Sequence, residues 1–236
     1  MAAHPVAFAF VLAVISGFHG FFKWSDAPNP VPVWWNIDAQ PVYYLSRWFG
    51  FTFLPVLMVL IPYIFHVFAC YDNKIKIQSG EPKHAVAHLI SLPALFLFIV
   101  HNFIILDAFD SRNGEINPRF VSATVALFLM IWAGYNFQYV TPNHTVGLLT
   151  PWTLRSDSSW TKTHTHSAWI LEIFGLVLLI SAFYVPTGVP LLVVTLVLWL
   201  GSYLYLIIYS VIVFGSGELE TGNFKEITEP LVATEA

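Results

Sequence analysis

Residues 189–214 read VPLLVVTLVLWLGSYLYLIIYSVIVF, 26 residues without one charged side chain. At about 1.5 Å per residue a helix of that length is roughly 39 Å long. The hydrocarbon core of a bilayer is about 30 Å thick, so this stretch is long enough to cross it. Strands of soluble sheets make apolar runs of only about 4–8 residues, so the length alone favours a helix.

Five further runs of the same kind precede it. They are Pro5–Phe22, Trp48–Cys70, Ala85–Leu106, Phe120–Val140 and Ser167–Val185. Only Ser167–Val185 contains a charge, Glu172. Outer-membrane-type barrels would show alternating segments of about 10 residues, which are absent. The expected fold class is therefore an all-α integral membrane protein. It is a single polytopic domain over residues 1–236, a bundle of about six transmembrane helices with two structured loops.

Composition agrees. Of 236 residues, 57% are hydrophobic and 10% charged, against about 25% charged in a typical soluble domain. Lipid must cover much of the surface. A net charge of −4 supplies no basic field for nucleic acid. One cysteine, Cys70, rules out an intramolecular disulfide and a cysteine-rich metal site. Met1–His4 has no lysine or arginine, so the first run reads as a retained helix rather than a cleaved signal.

Lysine and arginine set the orientation. With six spans, Lys74, Lys76, Lys83, Arg155, Lys162 and Lys225 fall on one side, and Lys23, Arg47, Arg112 and Arg119 on the other. The excess favours both termini in the cytoplasm. The tail 215–236 carries Glu218, Glu220, Glu226, Glu229 and Glu235; it is expected to be acidic and poorly ordered. Pro55, Pro62 and Pro93 fall inside spans, where they predict kinks that neighbouring groups can tolerate.

Two loops are more than connectors. Lys23–Arg47 mixes four prolines with Trp24, Trp34, Trp35, Tyr43 and Tyr44. The prolines block a regular helix, and the aromatics suit headgroup level. The second loop, Pro142–His164, places Ser156 before a short helix with Asp157 in its first turn, a favourable N-terminus. An amphipathic helix on the membrane surface would explain its mixed composition without chemistry.

That second loop resembles the SdpI family, whose hallmark has the form N-x-x-x-G-I-R-T-P-W-T-L-x-S-x-x-x-W-x-K-T-H. The matching residues are Asn143, Gly147, Thr150, Pro151, Trp152, Thr153, Leu154, Ser156, Trp160, Lys162, Thr163 and His164. Leu149 stands at the motif arginine, Thr165-His166-Ser167 replaces a glycine-containing turn, and the upstream Gly-Asn reads Gly134-Tyr135. The first loop is similar to a small domain of family relatives, of form P-x-H-W-N-x-x-G-x-x-D, at Pro32, Trp35, Asn36, Ser46 and Pro55. Trp34, Ala39, Val42 and Arg47 replace its histidine, glycine, aspartate and lysine. The resemblance implies a polytopic protein of the plasma (inner) membrane that protects its producer from a membrane-active peptide and retains a repressor at the membrane. The missing arginine sets aside any contact that depends on it.

The motif residues Asn143, Gly147, Thr150, Pro151, Trp152, Thr153, Ser156, Trp160, Lys162 and His164 are the candidate binding surface. Glu172 and His101 are the candidate intramembrane polar groups. A carboxylate inside a span is expensive and faces a bundle interior or water cavity, as a proton relay, a cation's partner or a neutral hydrogen-bonded acid. Thr165, Ala168 and Glu172 share a helix face, with His164 toward its edge. His164 and His166 point apart on a helix, and no H-E-x-x-H occurs, so no metal site is expected. No phosphate loop, nucleophile elbow or carboxylate pair stands out, so neither an enzyme nor a cofactor is expected.

The leading expectation is a non-enzymatic protein giving immunity to, or sensing, a membrane-active peptide. Its partners would be the lipid bilayer and a peptide toxin or cytoplasmic regulator. The alternatives are a small proton-coupled transporter or channel and a structural subunit of a membrane complex.

Overall fold

The computed structural model describes residues 4–35, 40–109, 118–186 and 189–221. It is a helical bundle. Five helices are long and apolar enough to cross a membrane by length and composition: α1 (Pro5–Phe22), α2 (Arg47–Tyr71), α4 (Glu81–Phe109), α8 (Asp157–Tyr184) and α9 (Val189–Thr221). Pro5 sits in the first turn of α1, where its missing N–H costs nothing. α2 runs through Pro55 and Pro62, and α4 through Pro93.

The expected span Phe120–Val140 is built differently from the other five. Three consecutive segments, α5 (Pro118–Thr124), a π-helix (Val125–Trp132) and α6 (Ala133–Phe137), form it. Its apolar stretch, Ser122–Phe137, is shorter than the other five. Hydropathy cannot separate α from π windings here, because VALFLMIW is apolar at every position and so carries no period. Its packing is visible at Gly175 of α8. A Cβ there would lie 2.7 Å from Ile131 Cγ1 and 2.9 Å from Met130 Cβ, so α8 approaches the π-helix as only glycine permits.

One contact fixes how these helices run. The backbone N–H of His144 donates to Asp72 Oδ2 at 2.6 Å. Asp72 follows α2 directly, and α4 then leads away for 29 residues, about 43 Å at α-helical rise. To bring His144 back beside Asp72, residues 118–137 must traverse the same thickness in return. The bundle therefore has two ends. One carries the start of α1, the end of α2 and residues 138–156.

The other end carries a two-stranded antiparallel hairpin, β1 (Val31–Trp35) and β2 (Pro41–Leu45), with Val31 opposite Leu45 and irregular register near Trp34. Strands this short among prolines leave no periodic signal in the sequence. Arg47 secures the hairpin's approach, donating from Nη1 to the Trp24 carbonyl at 2.7 Å and from Nη2 to that of Ala27. Val31 is fully buried against Ala27, Phe51 and Ile105. Exposed Tyr43, Tyr44 and Trp48 suit headgroup level.

Two boundaries differ from expectation. The fifth span begins at Asp157 rather than Ser167, because the expected surface helix is continuous with it. Helix α9 runs to Thr221, past the apolar limit at Phe214, since 215–221 holds no proline to stop it. The acidic tail from residue 222, like Asn36 and Ala39 of the first loop, lies outside the described residues.

Candidate functional site

The motif folds into a platform that closes one end of the bundle, built from inside outward around Trp160 and His164. Both are essentially fully buried in the first turns of α8. Their spacing of four stacks the rings one turn apart, with centroids 4.0 Å apart and 14° between planes. Trp160 Nε1–H donates to the Val140 carbonyl at 2.7 Å. His164 Nδ1–H donates to the Trp160 carbonyl at 2.9 Å, and its Nε2 accepts the Leu148 N–H at 2.9 Å. Those partners define the tautomer: a carbonyl can only accept and an amide N–H can only donate. His164 is therefore neutral, with both nitrogens committed and no lone pair left for a metal.

Gly147 makes this closeness possible. Its φ is +122°, and a Cβ would press on His164 Nε2 and lie 3.1 Å from the Trp160 ring. Both the backbone angle and the space demand glycine.

Around that centre most polar motif residues hold one another; among the described residues the buried Ser159 and Thr163 hydroxyls have no hydrogen-bond partner. Asn143, fully buried, accepts the N–H groups of Thr145 and Val146 at 2.8 Å each and donates to the Thr141 carbonyl at 2.9 Å. That local bonding is why an asparagine suits the turn. Thr150 caps α7 (Pro151–Arg155), and Thr153 completes a reciprocal capping box. Thr153 Oγ1 also donates to the Leu148 carbonyl at 2.7 Å. Ser156 caps α8 by accepting the Ser159 N–H at 3.2 Å, as its position predicts. Trp152 Nε1–H donates to Ser210 Oγ on α9.

Asp72 fastens this platform to the rest of the bundle. Its Oδ1 caps α3 (Asn73–Lys76) by accepting the Lys74 N–H at 2.9 Å. Its Oδ2 takes the His144 N–H and, at 3.2 Å, the Thr145 hydroxyl. Burial pushes the Asp72 carboxyl up, but these donors and the Ile75 N–H outweigh it, holding it below the ordinary aspartate value. Sequence reading missed Asp72. The available signal was Asp-Asn-Lys after an apolar run, an N-cap pattern.

What remains outward-facing is His144, Leu149, Pro151, Arg155, Asp157, Ser158, Thr161 and Lys162. Of the ten motif candidates, Asn143, Gly147, Thr153, Trp160 and His164 thus serve the platform's interior, while Pro151 and Lys162 reach its surface. Leu149, 41% exposed, occupies the arginine's place without entering the interior.

The intramembrane candidates lie elsewhere. Glu172 is half-buried where α6 crosses α8; a Cβ on Gly134 would lie 3.0 Å from the Ala168 carbonyl oxygen and 3.3 Å from Glu172 N. Among the described residues, no hydrogen bond links Glu172 to the motif. His101 is fully buried between α1 and α4, paired through Nδ1 with Ser16 Oγ. Asn102 Nδ2 donates to the same oxygen at 3.1 Å, and His19 Nδ1 meets Asn102 Oδ1 at 2.7 Å. His166 turns away from His164, stacking on Tyr209 with centroids 3.9 Å apart. Among the described residues, no three His, Cys, Asp or Glu side chains gather to hold a metal ion.

Comparison with known proteins gives this geometry a context. Residues 140–215 match the SdpI/YfhL protein family, and residues 11–59 match a domain of unknown function, DUF1648. The chain is 23% identical over 189 residues to immunity protein SdpI of Bacillus subtilis (strain 168), covering 80% of this chain and 86% of that protein. No solved structure matches. The platform, the long helix α8 and most of the long helix α9 thus fall within the stretch that matches the SdpI/YfhL family, in a chain that is similar to immunity protein SdpI along most of its length.

Proposed function

We propose that this chain is an immunity-type protein of the plasma membrane, which protects the cell carrying it from a membrane-active peptide without catalysing a reaction. The observation that carries the reading is the motif platform. Apart from the buried Ser159 and Thr163 hydroxyls, its interior polar groups are spent on one another, so what it offers a partner is a fixed outer face bearing Leu149, Arg155 and Lys162. A preformed face of this kind suits binding, because little ordering remains to be done on contact. The similarity to a relative named an immunity protein supports the same reading.

With both termini inside, that face looks into the cytoplasm, where it suits a regulator. The hairpin end then meets a peptide arriving from outside. Expressing the chain in susceptible cells and challenging them with a panel of secreted membrane-active peptides tests the role. Survival above vector controls for at least one peptide is expected; death at the control rate across the panel contradicts it.

The polar chain Ser16–His101–Asn102–His19 favours a second reading, a small proton-coupled transporter, since such groups inside a bundle mark proton or ion routes. It expects pH-driven flux in vesicles that His101→Leu removes.

A further inference from the structure

Beside the platform, a cavity of about 330 Å³ opens between the start of α1, the end of α2 and the first turns of α4. Its floor is apolar, formed by Ala69, Ile75, Val86 and Ile90. Its rim carries His4, His66, Lys76 and Lys83, and none of its lining residues is acidic. The rings of His4 and His66 meet edge to face with centroids 4.1 Å apart. Cys70 Sγ lies 3.5 Å from His66 Nε2. Of the two acids next to this rim in sequence, Asp72 is spent on Lys74, His144 and Thr145, and Glu81, in the first turn of α4, is not among the lining residues.

We propose that this cavity holds the phosphodiester of an anionic phospholipid. Lys76 and Lys83 face the phosphate, His4 and His66 offer ring N–H donors, and the acyl chains leave over the apolar floor. Lys76 Nζ donates to the neutral Asn73 Oδ1 at 3.3 Å, and no carboxylate lines the cavity, so its two cations call for an anion. The floor distinguishes its kind, since a free phosphate has no apolar part to cover Val86 and Ile90. Depth agrees: the cavity lies where three spans begin or end, at the level of headgroups, and lysines at such positions reach to the interface. Helix α3 joins the two features, with Asp72 gripping the motif at its start and Lys76 on the cavity at its end.

The test is native mass spectrometry of the full chain in detergent, titrated with phosphatidylglycerol or phosphatidylcholine, with inorganic phosphate as competitor. Phosphatidylglycerol is expected to bind about tenfold more tightly. The double variant Lys76→Gln/Lys83→Gln should lose that preference. Lys74→Gln, which removes one charge close to Lys76 but outside the cavity, should keep it. Ala87→Phe should expel the lipid while leaving every charge in place. Equal binding of the two lipids overturns the proposal. So does equal loss in Lys74→Gln, retention in Ala87→Phe, or displacement by millimolar phosphate, which would make this a free-anion site.

Discussion

Asp72 and His144 are 72 residues apart in sequence and 2.6 Å apart in space. The aspartate belongs to the end of α2, the histidine to the motif loop, and their hydrogen bond ties the two halves of the chain at one face of the bundle.

Removing that tie should loosen the platform. Asp72→Ala deletes charge-assisted bonds to the His144, Lys74 and Ile75 N–H groups and a hydroxyl, and each such bond contributes about 1.5–3 kcal/mol in mutational series. A loss of about 3 kcal/mol is expected, allowing for water replacing part of the set. Thermal unfolding in detergent measures it. An unchanged midpoint would contradict the assignment of Asp72 as the fastener.

The same carboxylate sets an acid limit. Its folded pKa lies below the unfolded value of about 3.9. The contribution is therefore fully present above the unfolded value and is lost as pH falls through the folded one. Wild type should lose more stability than Asp72→Asn below about pH 4 and track it between pH 6 and 8. Melting curves against pH read the difference.

His164 should behave as a structural group. His164→Ala leaves the buried Leu148 N–H without a partner and opens a space under Trp160, costing about 2–4 kcal/mol. Nitrogen NMR of the labelled ring at neutral pH should report the Nδ1–H tautomer. An Nε2–H signal would refute the bonding described above.

Two nearby motif positions should respond very differently. Gly147→Ala forces a Cβ into a left-handed backbone and onto His164, and should cost about 1–3 kcal/mol. Leu149→Arg, on an exposed site, should shift stability by less than about 0.5 kcal/mol. The pair separates what the interior requires from what the outer face offers, and unfolding midpoints decide it.

The sequence makes the spans legible because charge-free runs of this length have one physical use. Ser156 is legible as a cap, and the divergence of His164 from His166 follows from helical period alone. Other features depend on contacts that period cannot encode. The approach of Gly147 to His164, the partnership of Asp72 with a loop 72 residues away, and the π-helix at Gly175 are set by packing between segments. Glu172 drew notice as a charge in an apolar run, but its position beside Gly134 separates it from the motif it follows.

The central claim is that the motif platform and the α2–α4 turn share one face, with the hairpin on the other. Single cysteines at Ile77, Ser158 and Val42 in a Cys70→Ser background, labelled in intact cells with a membrane-impermeant maleimide, test it directly. Ile77→Cys and Ser158→Cys should stay unlabelled until the membrane is opened, while Val42→Cys reacts at once. Labelling of Ser158→Cys but not Ile77→Cys from outside would contradict the account, because no membrane protein could then join Asp72 to His144.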